Sequence, residues 1–257
     1  MTFALRMFAA SIAVACMPGA NPVEGSVASA PVGEPPAVSK GAEPDSASGD
    51  EPVRFEWEAT YASWYSFQGL DYSDRRSVSQ PEVSVTMRGV SIAVWGNIDH
   101  SRGELNEVDM TLQWGWEGDR FSGGLGYMNL QYPHRPDWEP SQEVFGEVAF
   151  GGPLDLSASV HWDVDAGRGR YWEFGLGKEL SAKAVAILLA TSVYVQDDYY
   201  GMTGVTAVET RIGARREWGG VAWEPSLARI SAWENGDFQG ANAVSTGWLF
   251  RLSVSPP

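Results

Sequence analysis

From about residue 53 onward the chain alternates apolar and polar residues with a period of two, segment after segment, and helical periodicity is hard to find. Such spacing puts successive side chains on opposite faces of an extended strand, so each strand has one apolar and one polar face. In Glu107-Val108-Asp109-Met110-Thr111-Leu112-Gln113-Trp114, the even positions are apolar and the odd ones polar. Leu154 to Asp163 repeats the pattern, with Leu154, Leu156, Ala158, Val160 and Trp162 opposing Asp155, Ser157, Ser159, His161 and Asp163. Further alternating stretches are 55–61, 82–88, 143–150, 171–179, 206–216 and 248–254, and less regular ones lie near 90–97, 120–132, 184–195 and 221–232. Turn signals separate them, among them Arg88-Gly89, Gly151-Gly152-Pro153 and Gly219-Gly220. The fold class this predicts is all-β, an antiparallel up-and-down transmembrane β-barrel of about 12 strands.

Alternation by itself also fits a soluble β-sandwich, which turns the apolar face inward where a barrel in lipid turns it outward. The N-terminus favours the membrane. Arg6 precedes an apolar run from Met7 to Met17 that ends near the small residues Ala13-Val14-Ala15, so residues 1–18 are predicted to be a secretory signal peptide. Cys16, the chain's one cysteine, follows those small residues as the acylated cysteine of a lipoprotein signal would; the alternative is an apolar residue of a discarded peptide. Residues 19–52 are rich in Pro, Ser, Ala and Glu with almost no large apolar group, the composition of a disordered linker. That leaves 53–257 as the barrel domain. Trp or Tyr stands at several predicted strand ends (Tyr61, Trp95, Trp114, Tyr132, Trp162, Trp248), where amphipathic rings sit at a membrane boundary.

The 18 Lys and Arg against 33 Asp and Glu give a net charge of −15, which repels nucleic-acid phosphates and excludes nucleic acid as a partner. If the apolar face meets lipid, the polar face lines the lumen. Its carboxylates would be Glu56, Glu58, Glu82, Glu107, Asp109, Glu143, Glu147, Asp155, Asp163, Glu173 and Glu209, with Arg88, Arg211, Arg215, Arg251 and His161 among them. Carboxylates dominate, and a narrow acidic lumen concentrates cations. The competing reading is that these charges pair across strands and fill the barrel.

Ser157, Ser159, His161 and Asp163 share one strand face, which invites a Ser-His-acid hydrolase of lipid. Such a serine would have to reach the lipid side, whereas this face is predicted to point inward, so no catalytic residue is assigned. His100, His134 and His161 lack metal-ligand spacing, the acidic segments near 71–76 and 196–200 read as solvated loops, and no glycine loop opens a helix to hold a phosphate. No cofactor or metal is predicted.

The stretch Ser63-Trp64-Tyr65-Ser66-Phe67-Gln68-Gly69-Leu70-Asp71-Tyr72-Ser73 resembles the opening segment of the TorF-type porin family, with Gln68 where that family has Arg. Gly89 to Asn97 resembles the family's second hairpin, and Glu107 to Met110 with Gly126-Tyr127 to Tyr132-Pro133 its next one. The resemblance implies a bacterial outer-membrane barrel in contact with membrane lipid, passing small solutes by passive diffusion, without an enzymatic role. Two alternatives stay open from the residues: a non-conducting structural or surface barrel, lipid-anchored through Cys16, and a soluble exported β-sandwich binding protein.

Overall fold

The computed structural model describes residues 53–136, 138–182, 184–233 and 245–257. The predicted signal peptide 1–18, with Cys16, and the linker 19–52 lie outside the described residues.

Twelve strands form a closed antiparallel barrel. They are β1 (Arg54–Ala62), β4 (Val78–Met87), β5 (Val90–Asp99), β6 (Glu104–Glu117), β7 (Phe121–Gln131), β8 (Ser141–Phe150), β9 (Asp155–Asp163), β10 (Arg170–Ala182), β11 (Val185–Tyr199), β12 (Met202–Trp218), β13 (Val221–Ala232) and β14 (Gly247–Ser255). Each pairs with its neighbour in sequence, and β1 closes the ring by pairing with β4 on one side and β14 on the other. A two-stranded hairpin, β2 (Ser66–Phe67) and β3 (Leu70–Asp71), stands apart from the ring. The twelve alternating stretches of the sequence each coincide with a barrel strand, the longest being β12 at 17 residues.

The alternation resolves into an inverted protein. Polar side chains are buried inside, among them Gln80, Asn97, Thr111, Gln113, Ser141 and Gln196. Val85, Ile92, Leu112, Leu125, Val148 and Leu156 are exposed outside. A soluble sandwich would reverse this, because exposed apolar area on that scale is unfavourable in water and neutral in lipid. Two girdles of exposed aromatic residues bound the apolar band. Phe55, Trp57, Trp114, Trp116, Phe121 and Trp218 mark one end, and Tyr61, Trp162, Trp233 and Trp248 the other.

The two ends differ. The first carries the start of β1, the end of β14 and tight turns such as Arg88-Gly89 and Gly219-Gly220; we term it the turn end. The other, the loop end, carries the longer connections 63–77, 132–140 and 164–169. Arg88 belongs to the turn end, which corrects the expectation that it lines the lumen. Met87 pairs with Val90, so Arg88 and Gly89 are the two central residues of a hairpin turn, at φ 53° and 75°. A two-residue turn with both central φ values positive matches strand twist and leaves the Arg88 side chain exposed at the rim. Trp95 is likewise not a boundary residue. It points inward and is 5% exposed.

Candidate functional site in the lumen

Carboxylates are spread around the inward wall. On one side, β4, β6 and β8 present Glu82, Glu107, Asp109, Glu143 and Glu147. On the other, β12 and β14 present Arg211, Arg215 and Arg251 among the carboxylates Glu58, Glu179, Glu209 and Glu224. In the ring, β6 and β12 stand six places apart of twelve, as do β8 and β14, so Glu107 and Asp109 lie across from the β12 arginines and Glu143 and Glu147 across from Arg251, whereas β4 is two places from β14. A bulge between Asn97 and Ile98 lets β6 carry both Asn106 and Glu107 inward. There Gln80 donates to Asn97 (3.1 Å) and Asn97 to Asn106 (2.7 Å), a ladder that satisfies amides removed from water.

Several charges are consumed by structure. Arg251 grips Glu209 through both guanidinium nitrogens, at 2.6 and 3.1 Å, with the pair buried. Arg215 meets Glu179 at 3.2 Å. Glu147 accepts from Gln113. Asp155 accepts the Gly152 amide at 3.2 Å and so closes the turn before β9. Asp163 accepts Ser141 Oγ at 2.7 Å and the Asp165 amide at 2.8 Å, which ties the 164–169 loop to β8. Glu173 lies half-buried on the inward face of β10, opposite Ser159 and Tyr194.

His161 is fully buried between two parallel rings, Tyr171 at 4.4 Å and Phe145 at 5.0 Å. Its Nδ1 is 2.9 Å from Glu143 Oε2, and the other oxygen of Glu143 accepts the Tyr199 hydroxyl at 2.6 Å. The acid at hydrogen-bond distance from His161 is therefore Glu143, two strands' worth of sequence from the Asp163 that sequence spacing suggested. Of the other histidines, His100 bonds Ser77 and Ser79 at the exposed loop end, and His134 bonds the Leu105 carbonyl.

The feature that sequence reading missed is the segment 63–77, which turns into the lumen. Gln68 (φ 52°) and Gly69 (φ 87°) form the tip between β2 and β3. A Cβ on Gly69 would come within 2.7 Å of the Cβ atoms of both Ala207 and Ala232, so only glycine lets the tip seat against β12 and β13. Gln68 bonds Gln196 of β11, and the Gly69 carbonyl accepts the Ser245 amide at 2.7 Å. At the base, Asp71 accepts the amides of Ser73 (3.0 Å) and Arg75 (2.9 Å), and Trp64 donates to the Trp248 carbonyl at 2.9 Å. Asp71 is thus a buried anchor, where the sequence suggested a solvated loop carboxylate.

The hairpin reaches both walls. Tyr65 packs on Trp95 (5.9 Å) and Phe67 on Tyr171 (5.8 Å). Tyr72 meets Trp138 at 5.0 Å, and Trp138 meets Tyr132 at 5.2 Å. The loop end is thereby narrowed by aromatic side chains directly beside the acidic wall. Burial and, after it, the field of Glu107 push the phenols of Tyr65 and Tyr132 well above their ordinary pKa, and the Tyr65 hydroxyl donates to Glu107. The signal that could have revealed this is local: Trp64 to Tyr72 carries four aromatic residues around a Gln-Gly turn, too apolar for a loop in water.

No protein-family model matches the chain, and no curated protein matches it. Among solved structures, the NanC porin superposes with a TM-score of 0.54 at 11% identity, over 79% of this chain and 100% of that one. An outer membrane channel from Pseudomonas putida F1 aligns with a TM-score of 0.47 at 11% identity, over 80% of this chain and 96% of that one. LpxR from Salmonella typhimurium gives 0.44 at 9% identity, over 78% and 99%. At such identities the likeness is one of fold. Together with the inverted burial pattern it defines the class: a closed twelve-stranded transmembrane β-barrel of the outer-membrane type.

Proposed function

We propose that the chain is exported to the bacterial outer membrane and acts there as a porin-like channel, passing small solutes through a narrow lumen that prefers cations. The observation carrying this reading is the excess of inward carboxylates over inward arginines. Glu82, Glu107, Asp109, Glu143 and Glu147 line β4 to β8, Glu58 and Glu224 add to them on β1 and β13, and Arg215 and Arg251 are already held by Glu179 and Glu209. The net negative potential of a confined, low-dielectric passage raises the local concentration of cations and repels anions. The hairpin 63–77 sets the narrowest part and limits solute size.

A second reading, a closed structural barrel, draws support from the same hairpin, which packs aromatic rings against opposite walls. Purified protein reconstituted in a planar bilayer decides between them. The channel reading expects discrete conductance steps and a reversal potential of cationic sign in a KCl gradient. Silence from protein whose folded state is verified by heat-modifiable migration would favour the closed barrel, and an anionic reversal potential would overturn the cation preference.

A further inference from the structure

We infer that the outer wall of the barrel holds the phosphate of a lipid headgroup at Arg229, where the lipid-facing surface of β12, β13 and β14 meets the loop-end girdle. The inference rests on the seat of the barrel in a membrane and not on whether its lumen conducts.

Alternation fixes which charges face outward. Along β1, β4 to β9 and β14 the outward positions carry no charged side chain, whereas β10 to β13 carry Arg170, Lys178, Arg216 and Arg229. The acids on this side stand at the tip of β11, where Asp197 is held by Arg170 at 2.6 Å and Asp198 is exposed at a bulge. An ionised group facing lipid is costly unless a counter-charge reaches it. Arg229 lies two residues from Leu227 of the apolar band and makes no ion pair among the described residues. The acids of β11 are out of its reach: Arg229 stands opposite Thr210 and Thr210 opposite Thr191, and Asp197 is six residues past Thr191, about 20 Å along the strand.

The neighbours of Arg229 suit an oxyanion. Trp248, its direct partner on β14, has its ring centre 5.7 Å from the guanidinium, and a ring against the face of a guanidinium leaves the N–H edge for acceptors. On the other side the Thr210 hydroxyl lies 3.3 Å from that of Thr191. Thr191, Thr210, Arg229 and Trp248 thus form one row over four adjacent strands, each about 5 Å from the next. The row is open to the membrane, with Trp248 62% exposed and both threonine hydroxyls exposed. Phosphate oxygens accept two parallel N–H bonds from a guanidinium and further bonds from hydroxyls. A lipid also lays its chains on Leu227 and Phe250, exposed cross-strand partners one outward position nearer the turn end, which a free anion does not. A second copy packed side by side presents the same outer face, with its acids at the tip of β11 and none at this level.

The test titrates the full-length protein, in nonionic micelles, separately with dioleoylphosphatidic acid, with dioleoylglycerol and with inorganic phosphate, and counts bound molecules per chain by native mass spectrometry. Phosphatidic acid is expected to bind saturably, and about tenfold more weakly to Arg229→Gln. Arg216→Gln, which removes an equal charge from the same outer face, should keep the wild-type affinity. Equal losses in the two variants, equal retention of dioleoylglycerol, or inorganic phosphate bound as tightly as the lipid would each overturn the assignment. So would a dimer that forms without lipid and is lost in Arg229→Gln, which would give the site to a second copy. A reading on the wild type covers the case of a variant that does not fold: phosphatidic acid should slow phenylglyoxal modification of Arg229, located by peptide mass, at least about fivefold and leave Arg216 unprotected. Absence of that protection counts against the site. A protein without heat-modifiable migration would defeat the barrel reading itself, whereas a folded barrel indifferent to the phosphate defeats this inference alone.

Discussion

At the scale of single residues, position on the strand decides what a charge does. Met110 is central in β6 and 44% exposed on the outer face, whereas Gln113 points inward and bonds Glu147. Placing Arg at the lipid midplane costs about 2–4 kcal/mol, while an inward Arg at 113 acquires a carboxylate partner. Met110→Arg should therefore lower stability against urea in lipid vesicles by about that amount, and Gln113→Arg by under about 1 kcal/mol. Equal losses would mean that β6 has been assigned the wrong outward face. The Glu209–Arg251 pair gives a second residue-scale expectation. With the pair buried, Glu209→Gln leaves a guanidinium without its counter-charge, a loss of about 3–5 kcal/mol. Glu209→Gln combined with Arg251→Met removes both charges and should recover most of it in the same urea titration.

At the scale of elements, the barrel and its inward hairpin differ in how the sequence encodes them. Alternation located all twelve barrel strands because each strand buries one face regardless of its partners, and the period of two is a property of the strand itself. Placement of Glu107 and Asp109 on the polar face follows from the same rule. The hairpin obeys another rule: Phe67, Gln68 and Gly69 are held by Tyr171, Gln196 and the walls of β12 and β13, contacts more than 100 residues away that leave no local period. Trp95 was unreadable for the same reason, since the Tyr65 that covers it arrives from that hairpin. His161 and Asp163 appeared paired by spacing, yet His161 bonds Glu143, its diagonal neighbour on β8, which stands directly opposite Asp163. The hairpin's base is tight, with the Tyr72 amide 2.9 Å from the Tyr65 carbonyl, so residues 66–71 can be exchanged for a two-glycine turn without stretching the ring. If the hairpin sets the narrowest section, that exchange should raise single-channel conductance at least about twofold while heat-modifiable migration persists. Unchanged conductance would place the narrowest section elsewhere.

For the whole molecule, what matters is the distribution of charge around the ring. Carboxylates of β6 and β8 stand opposite the arginines of β12 and β14 in the ring, and Glu58, Glu209 and Glu224 lie among those arginines. Neutralising carboxylates and neutralising an arginine must move selectivity in opposite directions. Replacing Glu107, Asp109 and Glu147 together by Gln, Asn and Gln should shift the reversal potential in a KCl gradient toward zero, and Arg211→Gln should shift it further to the cationic side. Arg211 serves better than Arg251 for this purpose because among the described residues it makes no salt bridge within 4 Å, standing instead in the fields of Glu209 and Glu224. Both shifts should shrink with salt, since the screening length falls from ~10 Å at 0.1 M to ~3 Å at 1 M and an exposed part of the wall then ceases to be felt across the lumen. Charges held beneath the hairpin are screened less than those nearer the turn end, so some preference should survive at 1 M in the wild type and vanish in the triple variant. If the two neutralisations shifted the potential in the same direction, or if high salt abolished selectivity completely in the wild type, the ions would be passing by a route that does not run between these walls.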